Sequence, residues 1–240
     1  MFKIAIPSGA SGQTVQTRHE FKYLCNEIML SIAESRISTM MESDKHTNQY
    51  GKYDIRSLYF DDAYGTCFME NESGTDPREK FRIRIYNGNP DHISLELKQK
   101  ERTKTRKLSC SITQEQCIQL MHGIPLPIRA EYPALLQKFL VQMNTRLLRP
   151  SVIVEYSRTP YVYRNGNVRI TFDRNISSST AFDQFLEPDL PKRPITEAGM
   201  HIMEVKYDEF LPDPIHNVLQ MNQLQYTSFS KYYLCKKYSV

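Results

Sequence analysis

The sequence predicts an α+β protein in which a closed eight-stranded antiparallel β-barrel is covered by helices. Two observations predict this class: apolar and polar residues alternate with period 2 in about eight segments, and three segments have helical periodicity. The alternating segments lie near 16–23, 52–60, 80–87, 92–100, 105–112, 151–158, 167–173 and 200–207. Because the chain has 240 residues, we expect one domain, 1–240, with the N-terminal 15 or so residues flexible or peripheral.

The alternating segments separate apolar residues from charged residues. The segment 80–86 alternates Phe and Ile with Lys80, Arg82 and Arg84. Three other segments repeat Glu-x-Lys on one face, as Glu20/Lys22, Glu96/Lys98 and Glu204/Lys206. A charged face that meets water is the simplest explanation of such alternation.

Two details favour a charged interior instead. The predicted helices need an apolar surface to pack on, and the charged faces contain little of the Thr, Gln and Ser of ordinary solvated strands. We therefore expect the apolar faces to lie outward beneath the helices. Eight strands enclose an interior that is just wide enough for side chains and one small ligand, and closure removes exposed edges.

Helical periodicity occurs at three places along the chain. The first helix is predicted over 24–41. A helical insertion at about 113–149 contains a capping-box pattern at 113–116 and an amphipathic run at 135–143. The third helix is predicted to begin after Pro212 and Pro214 and to run to about residue 237.

A barrel interior rich in Arg and Lys requires an anionic ligand. Uncompensated buried charges cost several kcal/mol each, and Arg and Lys side chains suit phosphate oxygens. The few carboxylates among them could hold a divalent cation that bridges phosphates. Nucleic acid is a poorer match, because it requires a basic outer face and stacking aromatics, and the formal net charge is only +4.

Several other functional classes lack their usual sequence support. The five cysteines contain no Cys-x-x-Cys pair, and none of the six histidines forms a metal-binding pair. The hydrolase elbow, the P-loop and the dinucleotide-binding motif are absent from the sequence. No apolar run is long enough to span a membrane, and no export signal is recognisable. We therefore expect a cytoplasmic protein that works in a reducing compartment.

Eight motifs occur in order between residues 16 and 235. They are Arg18-His-Glu-Phe-Lys-Tyr, Ile55-Arg-Ser-Leu-Tyr-Phe-Asp-Asp, Lys80-Phe-Arg-Ile-Arg, Leu95-Glu-Leu-Lys, Val154-Glu-Tyr-Ser-Arg158, Val168-Arg-Ile-Thr-Phe-Asp, Met203-Glu-Val-Lys and Phe229-Ser-Lys. Together they resemble the VTC domain, the polyphosphate polymerase branch of the triphosphate tunnel metalloenzymes, also called CYTH-like proteins. A set of motifs along a whole chain is far more specific than any one of them.

The resemblance implies an eight-stranded tunnel with a C-terminal helix near its mouth, a divalent metal ion (Mn²⁺ or Mg²⁺), and a triphosphate or polyphosphate ligand. The implied substrate-binding residues are Lys22, Arg82, Arg84, Lys98, Lys107, Tyr156, Arg158, Arg169, Lys206, Ser230 and Lys231. Of these, the expected catalytic residues are Arg82, Arg84, Lys98, Arg169 and Lys231. Glu204 is the implied metal ligand, and Arg106 is an alternative to Lys107.

Other charged residues in the motifs have no firm role. Arg56, Glu20, Glu96 and Asp173 lie in matching motifs, and the alternative that they only balance charge inside the tunnel stays open.

One departure from the wider superfamily bears on the reaction. The triphosphatase branch opens with Glu-x-Glu-x-Lys, whereas Arg18 stands here in place of the first glutamate. A hydrolase needs carboxylates to hold metal and orient water, so the departure favours transfer of a phosphoryl group from ATP to a polyphosphate chain. Hydrolysis of inorganic or nucleoside triphosphate, and polyphosphate binding without catalysis, are the alternatives.

The resemblance also bears on partners. Eukaryotic members of the family work inside membrane assemblies, but we expect this protein to have neither a transmembrane segment nor an added regulatory domain. We expect a stand-alone protein that binds ATP or triphosphate and polyphosphate, with docking to a membrane partner left open. The sequence carries no information on oligomeric state.

Overall fold

The computed structural model describes residues 18–102, 104–220 and 224–239. This part of the chain contains eleven strands. They are β1 (His19–Asn26), β2 (Glu42–Ser43), β3 (Tyr53–Asp61), β4 (Arg78–Tyr86), β5 (Asn89–Glu101), β6 (Lys104–Ile112), β7 (Arg149–Tyr163), β8 (Val168–Ser179), β9 (Arg193–Pro194), β10 (Met200–Tyr207) and β11 (Gln225–Tyr226). Eight coincide with the predicted segments, and the other three have two residues each. The N-terminal segment that we predicted to be peripheral lies outside the described residues.

All eleven strands belong to one antiparallel sheet, which does not close into a barrel. The hydrogen-bonded order is β11-β1-β10-β8-β7-β3-β4-β5-β6, with β2 added beside β7 and β9 beside β8. In the described part of the chain no ladder joins β6 to β1 or β11. The predicted closed, eight-stranded barrel is therefore wrong in strand number and in closure.

Side chains, rather than backbone hydrogen bonds, bring the two ends of the sheet together. Lys98 Nζ on β5 lies 3.7 Å from Glu20 Oε2 on β1, although these strands are near opposite ends of the strand order. The sheet is therefore strongly curled, as the right-handed twist of large sheets allows. The strands next to its two edges therefore approach each other through side chains, while the backbone ladder stays open.

Six helices occur in the described residues. They are α1 (Glu27–Ser38), α2 (Thr66–Glu72), α3 (Gln114–Met121), α4 (Ala134–Thr145), α5 (Asp213–Leu219) and α6 (Lys231–Lys237). None of them is long and apolar enough to cross a membrane. The predicted first helix is shorter than expected, because β1 continues to Asn26, whose side chain then accepts a hydrogen bond from Met29 N (2.8 Å) and caps α1.

The predicted third helix is also corrected, since it is divided into α5 and α6. Between them, Tyr226 and Gln225 pair with Tyr23 and Leu24 of β1. Pairing with an otherwise unsatisfied strand edge satisfies backbone groups that a helix would have satisfied internally. The apolar pattern of this segment does not distinguish one continuous helix from two helices with a short strand between them.

Helices pack on both faces of the sheet and form three apolar cores. One core packs Leu136 and Phe139 of α4 against Phe81 and Leu97 of the sheet. A second core packs α1 and α5 against β8 and β10, with Ile37 and Phe172 fully buried. Both lie on the outer face, as expected for apolar residues beneath helices, whereas the third core is an exception to that expectation. The third core places α6 against the opposite, concave face.

The capping box at the start of α3 gives a testable local contribution to stability. Thr113 Oγ1 accepts from Gln116 N (3.2 Å), and the Gln116 side chain accepts from Thr113 N (3.0 Å). We expect Thr113→Ala to lower the free energy of unfolding by about 1 kcal/mol, measured by urea denaturation. Thr113→Ser keeps the acceptor and should lose much less, so an equal loss in both variants would contradict the capping role.

Candidate functional site

Basic side chains from seven strands and α6 converge on the concave face of the sheet. They are Lys22, Arg82, Arg84, Lys98, Lys107, Arg158, Arg169, Lys206 and Lys231. The carboxylates that contact them are Glu20, Asp44, Glu96, Asp173 and Glu204. Cations therefore outnumber carboxylates by nine to five in this group, although the whole chain carries a formal charge of only +4.

Glu96 on β5 organises three of these cations. Its Oε2 accepts from Arg82 Nε (2.7 Å) and Nη2 (2.6 Å), and Arg84 Nη1 is 3.7 Å away. Its Oε1 lies 2.6 Å from Lys107 Nζ. Burial by itself would raise the pKa of Glu96, but Arg82, Arg84 and Lys107 lower it to about 2. Glu96 is therefore an ionised, buried counter-ion that orients three cations.

The register of β5 and β6 decides between Lys107 and Arg106. Lys107 lies directly opposite Lys98, whereas Arg106 lies opposite Gln99. Residues directly opposite each other in a ladder lie on the same face, so Lys107 shares the concave face with Lys98. Neighbouring residues of a strand point to opposite faces. Arg106 lies on the other face.

Asp173 on β8 forms a second centre of charge pairing. The carboxylate is fully buried and accepts two hydrogen bonds from Arg158, Nε to Oδ1 (2.7 Å) and Nη2 to Oδ2 (2.8 Å). Lys231 Nζ of α6 lies 2.6 Å from Oδ2. Burial opposes the charge of Asp173, but Arg158 and Lys231 hold its pKa below the ordinary value. Asp173 therefore connects two strands to the C-terminal helix.

Tyr156 completes this second centre. Lys231 Nζ is 4.8 Å and the Arg158 guanidinium is 5.3 Å from the centroid of the Tyr156 ring. Such cation–π contacts stabilise cations that have lost water. The three predicted residues Tyr156, Arg158 and Lys231 therefore lie together.

Glu20 and Glu204 form a third centre on the neighbouring strands β1 and β10. Lys206 Nζ contacts Glu204 and also lies 3.9 Å from Glu20 Oε2, while Lys22 Nζ is 2.9 Å from Glu20 Oε1. Burial opposes ionisation of Glu20, but neighbouring lysines, Lys98 most strongly, lower its pKa to about 2. Burial likewise opposes ionisation of Glu204, whose pKa Lys206 and Lys22 hold well below the usual value.

Glu20 and Glu204 are the side chains that fit a divalent cation. Mg²⁺ is usually held by one or two carboxylates together with phosphate oxygens and water, and both carboxylates are ionised here. In the described ranges, no three His, Cys, Asp or Glu side chains are grouped so that they could hold a metal ion on their own. A cation at this place would therefore need ligands from its substrate or from water.

The remaining predicted residues have different surroundings. Arg169 Nη2 lies 2.9 Å from Asp44 Oδ2 and donates to Tyr53 Oη (3.0 Å). Ser230 is the N-cap of α6, where its Oγ accepts from Tyr233 N (3.4 Å). The structure thus places Ser230 beside Lys231 but engages its hydroxyl in capping.

Arg56 lies on the outer face and has a structural role. Its guanidinium donates to the carbonyl oxygens of Phe185 (2.9 Å), Glu187 (2.5 Å) and Pro188 (3.2 Å), and it is paired with Glu155. Arg56 therefore holds the segment after β8 against the sheet rather than facing the concave side.

Hydroxyl groups of β3 also contact the basic residues, although the motifs do not single them out. Tyr59 Oη accepts from Arg82 Nη1 (2.8 Å), and Ser57 Oγ accepts from Arg84 Nε (3.0 Å). With Tyr53, these residues occupy alternate positions and so share one face of the strand. The alternation of Tyr and Ser in a strand beside Lys80-Phe-Arg-Ile-Arg is the signal that could have revealed them.

The VTC domain family model matches residues 17–239. The chain belongs to the VTC domain family. No curated protein matches the sequence.

Solved structures with partial similarity to this VTC domain have low sequence identity. The PH1819 protein of Pyrococcus horikoshii OT3 is 14% identical with a TM-score of 0.46, over 92% of this chain and 98% of that chain. A Bacillus halodurans protein provisionally described as an adenylate cyclase is 12% identical with a TM-score of 0.47, over 86% of each chain. The family assignment therefore rests on the sequence match.

Proposed function

We propose that this VTC domain transfers the γ-phosphoryl group of ATP to the end of a polyphosphate chain bound on its concave face. The observation that supports the proposal is the convergence of nine cations from seven strands and α6 on that face. A surface with this excess of oriented Arg and Lys suits the closely spaced negative charges of linked phosphates.

The proposed reaction is an in-line phosphoryl transfer. The bond between the γ-phosphorus and the oxygen that bridges it to the β-phosphate breaks, a bond to a terminal oxygen of the acceptor chain forms, and ADP leaves. The attacking oxygen is already an anion, so little acid or base catalysis is needed. Positioning and charge neutralisation supply most of the acceleration in such reactions.

The proposed catalytic residues are those that would contact the reacting phosphates. They are Arg82, Arg84, Lys98, Arg169 and Lys231. In this proposal Lys22, Lys107, Arg158 and Lys206 bind other phosphates of the chain, and Tyr156 holds Arg158 and Lys231 in place. Ser230 caps α6, so that Lys231 is presented from the first turn of a helix.

Glu204, with Glu20 beside it, would hold a divalent metal ion, Mn²⁺ or Mg²⁺. Such an ion neutralises phosphate oxygens when it is bound. Both carboxylates contact the ammonium group of Lys206. The two side chains are therefore positioned to share one cation.

The surroundings of Arg18 favour transfer over hydrolysis. Arg18 Nε lies 2.8 Å from Asp208 Oδ1, and its Nη2 donates to Asn167 O (2.6 Å). The position that carries a glutamate in the triphosphatase branch therefore contributes an engaged cation here. This arrangement leaves fewer carboxylates to orient a water molecule.

The assay that tests the proposal uses the purified chain with ATP and either Mn²⁺ or Mg²⁺. We expect polyphosphate and ADP to form together, and Glu204→Ala to abolish both products. Glu209→Ala removes an exposed carboxylate just after β10 and should leave the rate close to wild type. Phosphate release without polymer would identify a triphosphatase, binding without turnover would identify a binding module, and wild-type activity of Glu204→Ala would contradict the assigned metal ligand.

We infer a cytoplasmic location from the cysteines, because the described structure has all five as free thiols, as a reducing compartment favours. Association with a membrane partner would leave the proposed roles of the concave-face residues unchanged.

A further inference from the structure

An aromatic side chain lies at one end of the concave face. Tyr86 is the last residue of β4, and the ladder places it directly opposite Ile55 of β3. Because residues two apart on a strand share a face, Tyr86 continues the line of Arg82 and Arg84. The Arg84 guanidinium is 5.9 Å from the centroid of the Tyr86 ring. This ring is therefore a neighbour of the residues proposed to contact phosphate.

The Tyr86 ring differs from other tyrosine rings of this face in its exposure. Tyr53, Tyr59 and Tyr156 are buried, and none is more than 8% exposed. Tyr86 is 37% exposed. Tyr53 is held in place, because its hydroxyl accepts from Arg169 Nη2 (3.0 Å). The rings of Tyr53 and Tyr86 form an edge contact, with 5.7 Å between their centroids and 73° between their planes. A fixed, buried ring thus supports an exposed ring at the end of the face.

The charged side chains follow this ring in a definite order. Arg84 and Arg82 lie about 7 and 13 Å from Tyr86 along β4, because a strand rises by about 3.3 Å per residue. Lys98 of β5 lies beyond Arg82 in the same ladder. Its Nζ is 3.7 Å from Glu20, one of the two carboxylates proposed to hold a metal ion. Two arginines therefore separate the exposed ring from the proposed metal site.

This order of side chains matches the order of groups in a nucleoside triphosphate. Such a molecule has a flat aromatic base at one end, a ribose next to it and three phosphates at the other end. A divalent ion neutralises the oxygens of the reacting phosphate, which places the γ-phosphate near Glu20 and Lys98. The other phosphates then face Arg82 and Arg84, and the base reaches Tyr86. Stacking on an aromatic side chain strengthens the binding of a base by about tenfold or more.

We propose that Tyr86 is a base-stacking site, so that the nucleotide donor binds with its base on this ring and its γ-phosphate towards Lys98. The inference rests on the proposed function and deepens it, because it assigns a site to the nucleoside and a direction to the nucleotide. The face of an aromatic ring carries partial negative charge, so Tyr86 attracts a base but not a phosphate. It therefore distinguishes a nucleoside triphosphate from inorganic triphosphate.

The test compares ligands with and without a base. They are ATP, ribose 5-triphosphate, which has the sugar and the phosphates but no base, and inorganic triphosphate. We expect Tyr86→Ala to bind ATP about tenfold more weakly and to bind the two ligands without a base as wild type does. The affinities are measured by titration calorimetry without divalent metal, so that no phosphate is transferred, and at one fixed salt concentration.

Two further variants separate stacking from other effects of the substitution. Tyr86→Phe keeps the aromatic ring and should bind ATP almost as tightly as wild type. Tyr64→Ala removes a tyrosine that is 83% exposed between β3 and α2, and it should leave all three affinities unchanged. Wild-type binding of inorganic triphosphate by Tyr86→Ala would show that the concave face is still folded.

The outcomes distinguish the inference from the function on which it rests. If Tyr86→Ala weakened ATP and inorganic triphosphate equally, the ring would act through Arg84 and the base-stacking site would be wrong. An unchanged affinity for ATP, or equal binding of ATP and ribose 5-triphosphate by wild type, would also overturn it while leaving the proposed function standing. If wild-type protein bound neither ATP nor inorganic triphosphate, the proposed function itself would fail.

Discussion

Asp173→Ala is expected to lower the free energy of unfolding by about 3–5 kcal/mol, because it leaves buried cations without their counter-ion. Asp173 is fully buried, and the side chains of its partners Arg158 and Lys231 are only 13% and 12% exposed. Neither cation can turn into bulk water without leaving its contacts with Tyr156. The loss is measured by urea denaturation followed by circular dichroism.

The loss should depend on pH in a defined direction. The pKa of Asp173 is lower in the folded chain than its ordinary value of 3.8, so folding favours the ionised carboxylate. Its contribution is fully present above the unfolded pKa and is lost as the pH falls through the folded pKa. The difference between wild type and Asp173→Ala should therefore be largest near neutral pH and should shrink below about pH 3.8.

A matched control uses an exposed ion pair. Glu131 Oε1 lies 3.7 Å from Arg129 Nη1, and the two side chains are 66% and 58% exposed. Glu131→Ala should change the free energy of unfolding by less than about 1 kcal/mol. Equal losses at Asp173 and Glu131, or a loss at Asp173 that did not change in acid, would exclude the buried charge centre as the cause.

The faces of the sheet could be predicted because they depend on local information. Period-2 alternation assigns Phe81 and Arg82 to opposite sides whatever the rest of the chain does. The need of amphipathic helices for an apolar surface then assigns the apolar side to the outside. That inference required no knowledge of strand order. The two outer cores agree with it, whereas the core beneath α6 lies on the concave face and does not.

Closure and helix boundaries could not be predicted, because they depend on distant partners. Whether β6 forms hydrogen bonds with β1 depends on two strands that lie far apart in sequence. The break between α5 and α6 arises because Gln225 and Tyr226 pair with β1. Helix α2 begins where Asp61 accepts from Cys67 N (2.9 Å) and Phe68 N (3.1 Å), and it has only seven residues, too few for a periodic pattern.

The candidate site shows the same division between local and distant information. The cations on the concave face could be proposed one by one from motifs and alternation. Their pairing with Glu96 and Asp173 depends on cross-strand register, as does the choice of Lys107 over Arg106. For that reason the sequence alone assigns no role to Glu96 or Asp173.

The role of Glu96 leads to a prediction in which electrostatics and positioning have opposite signs. Glu96→Gln removes one negative charge from a face that binds anions, so long-range attraction alone predicts equal or tighter binding of triphosphate at low salt. It also removes the counter-ion that orients Arg82, Arg84 and Lys107. Phosphoryl transfer depends mainly on positioning.

In the transfer assay we therefore expect Glu96→Gln to lower kcat by about 100-fold, as a displacement of about 1 Å of catalytic groups can do, with KM unchanged or lower. Steady-state kinetics with ATP and calorimetric titration with triphosphate give the two quantities separately. If Glu96 only balanced charge, Glu96→Gln would bind triphosphate more tightly and keep the wild-type kcat. A role limited to folding would lower the fraction of active protein and leave the kcat of the folded fraction unchanged.

The matched control lies on the same sheet and removes the same charge. Glu79 of β4 is on the outer face, where both carboxylate oxygens lie 2.9 Å from Lys138 Nζ. Glu79→Gln should leave kcat close to wild type, because no cation of the concave face is oriented by it. If Glu79→Gln lowered kcat as much as Glu96→Gln, loss of sheet stability would explain both results. If only Glu96→Gln did so while triphosphate binding was retained, Glu96 acts by orienting Arg82, Arg84 and Lys107 for transfer.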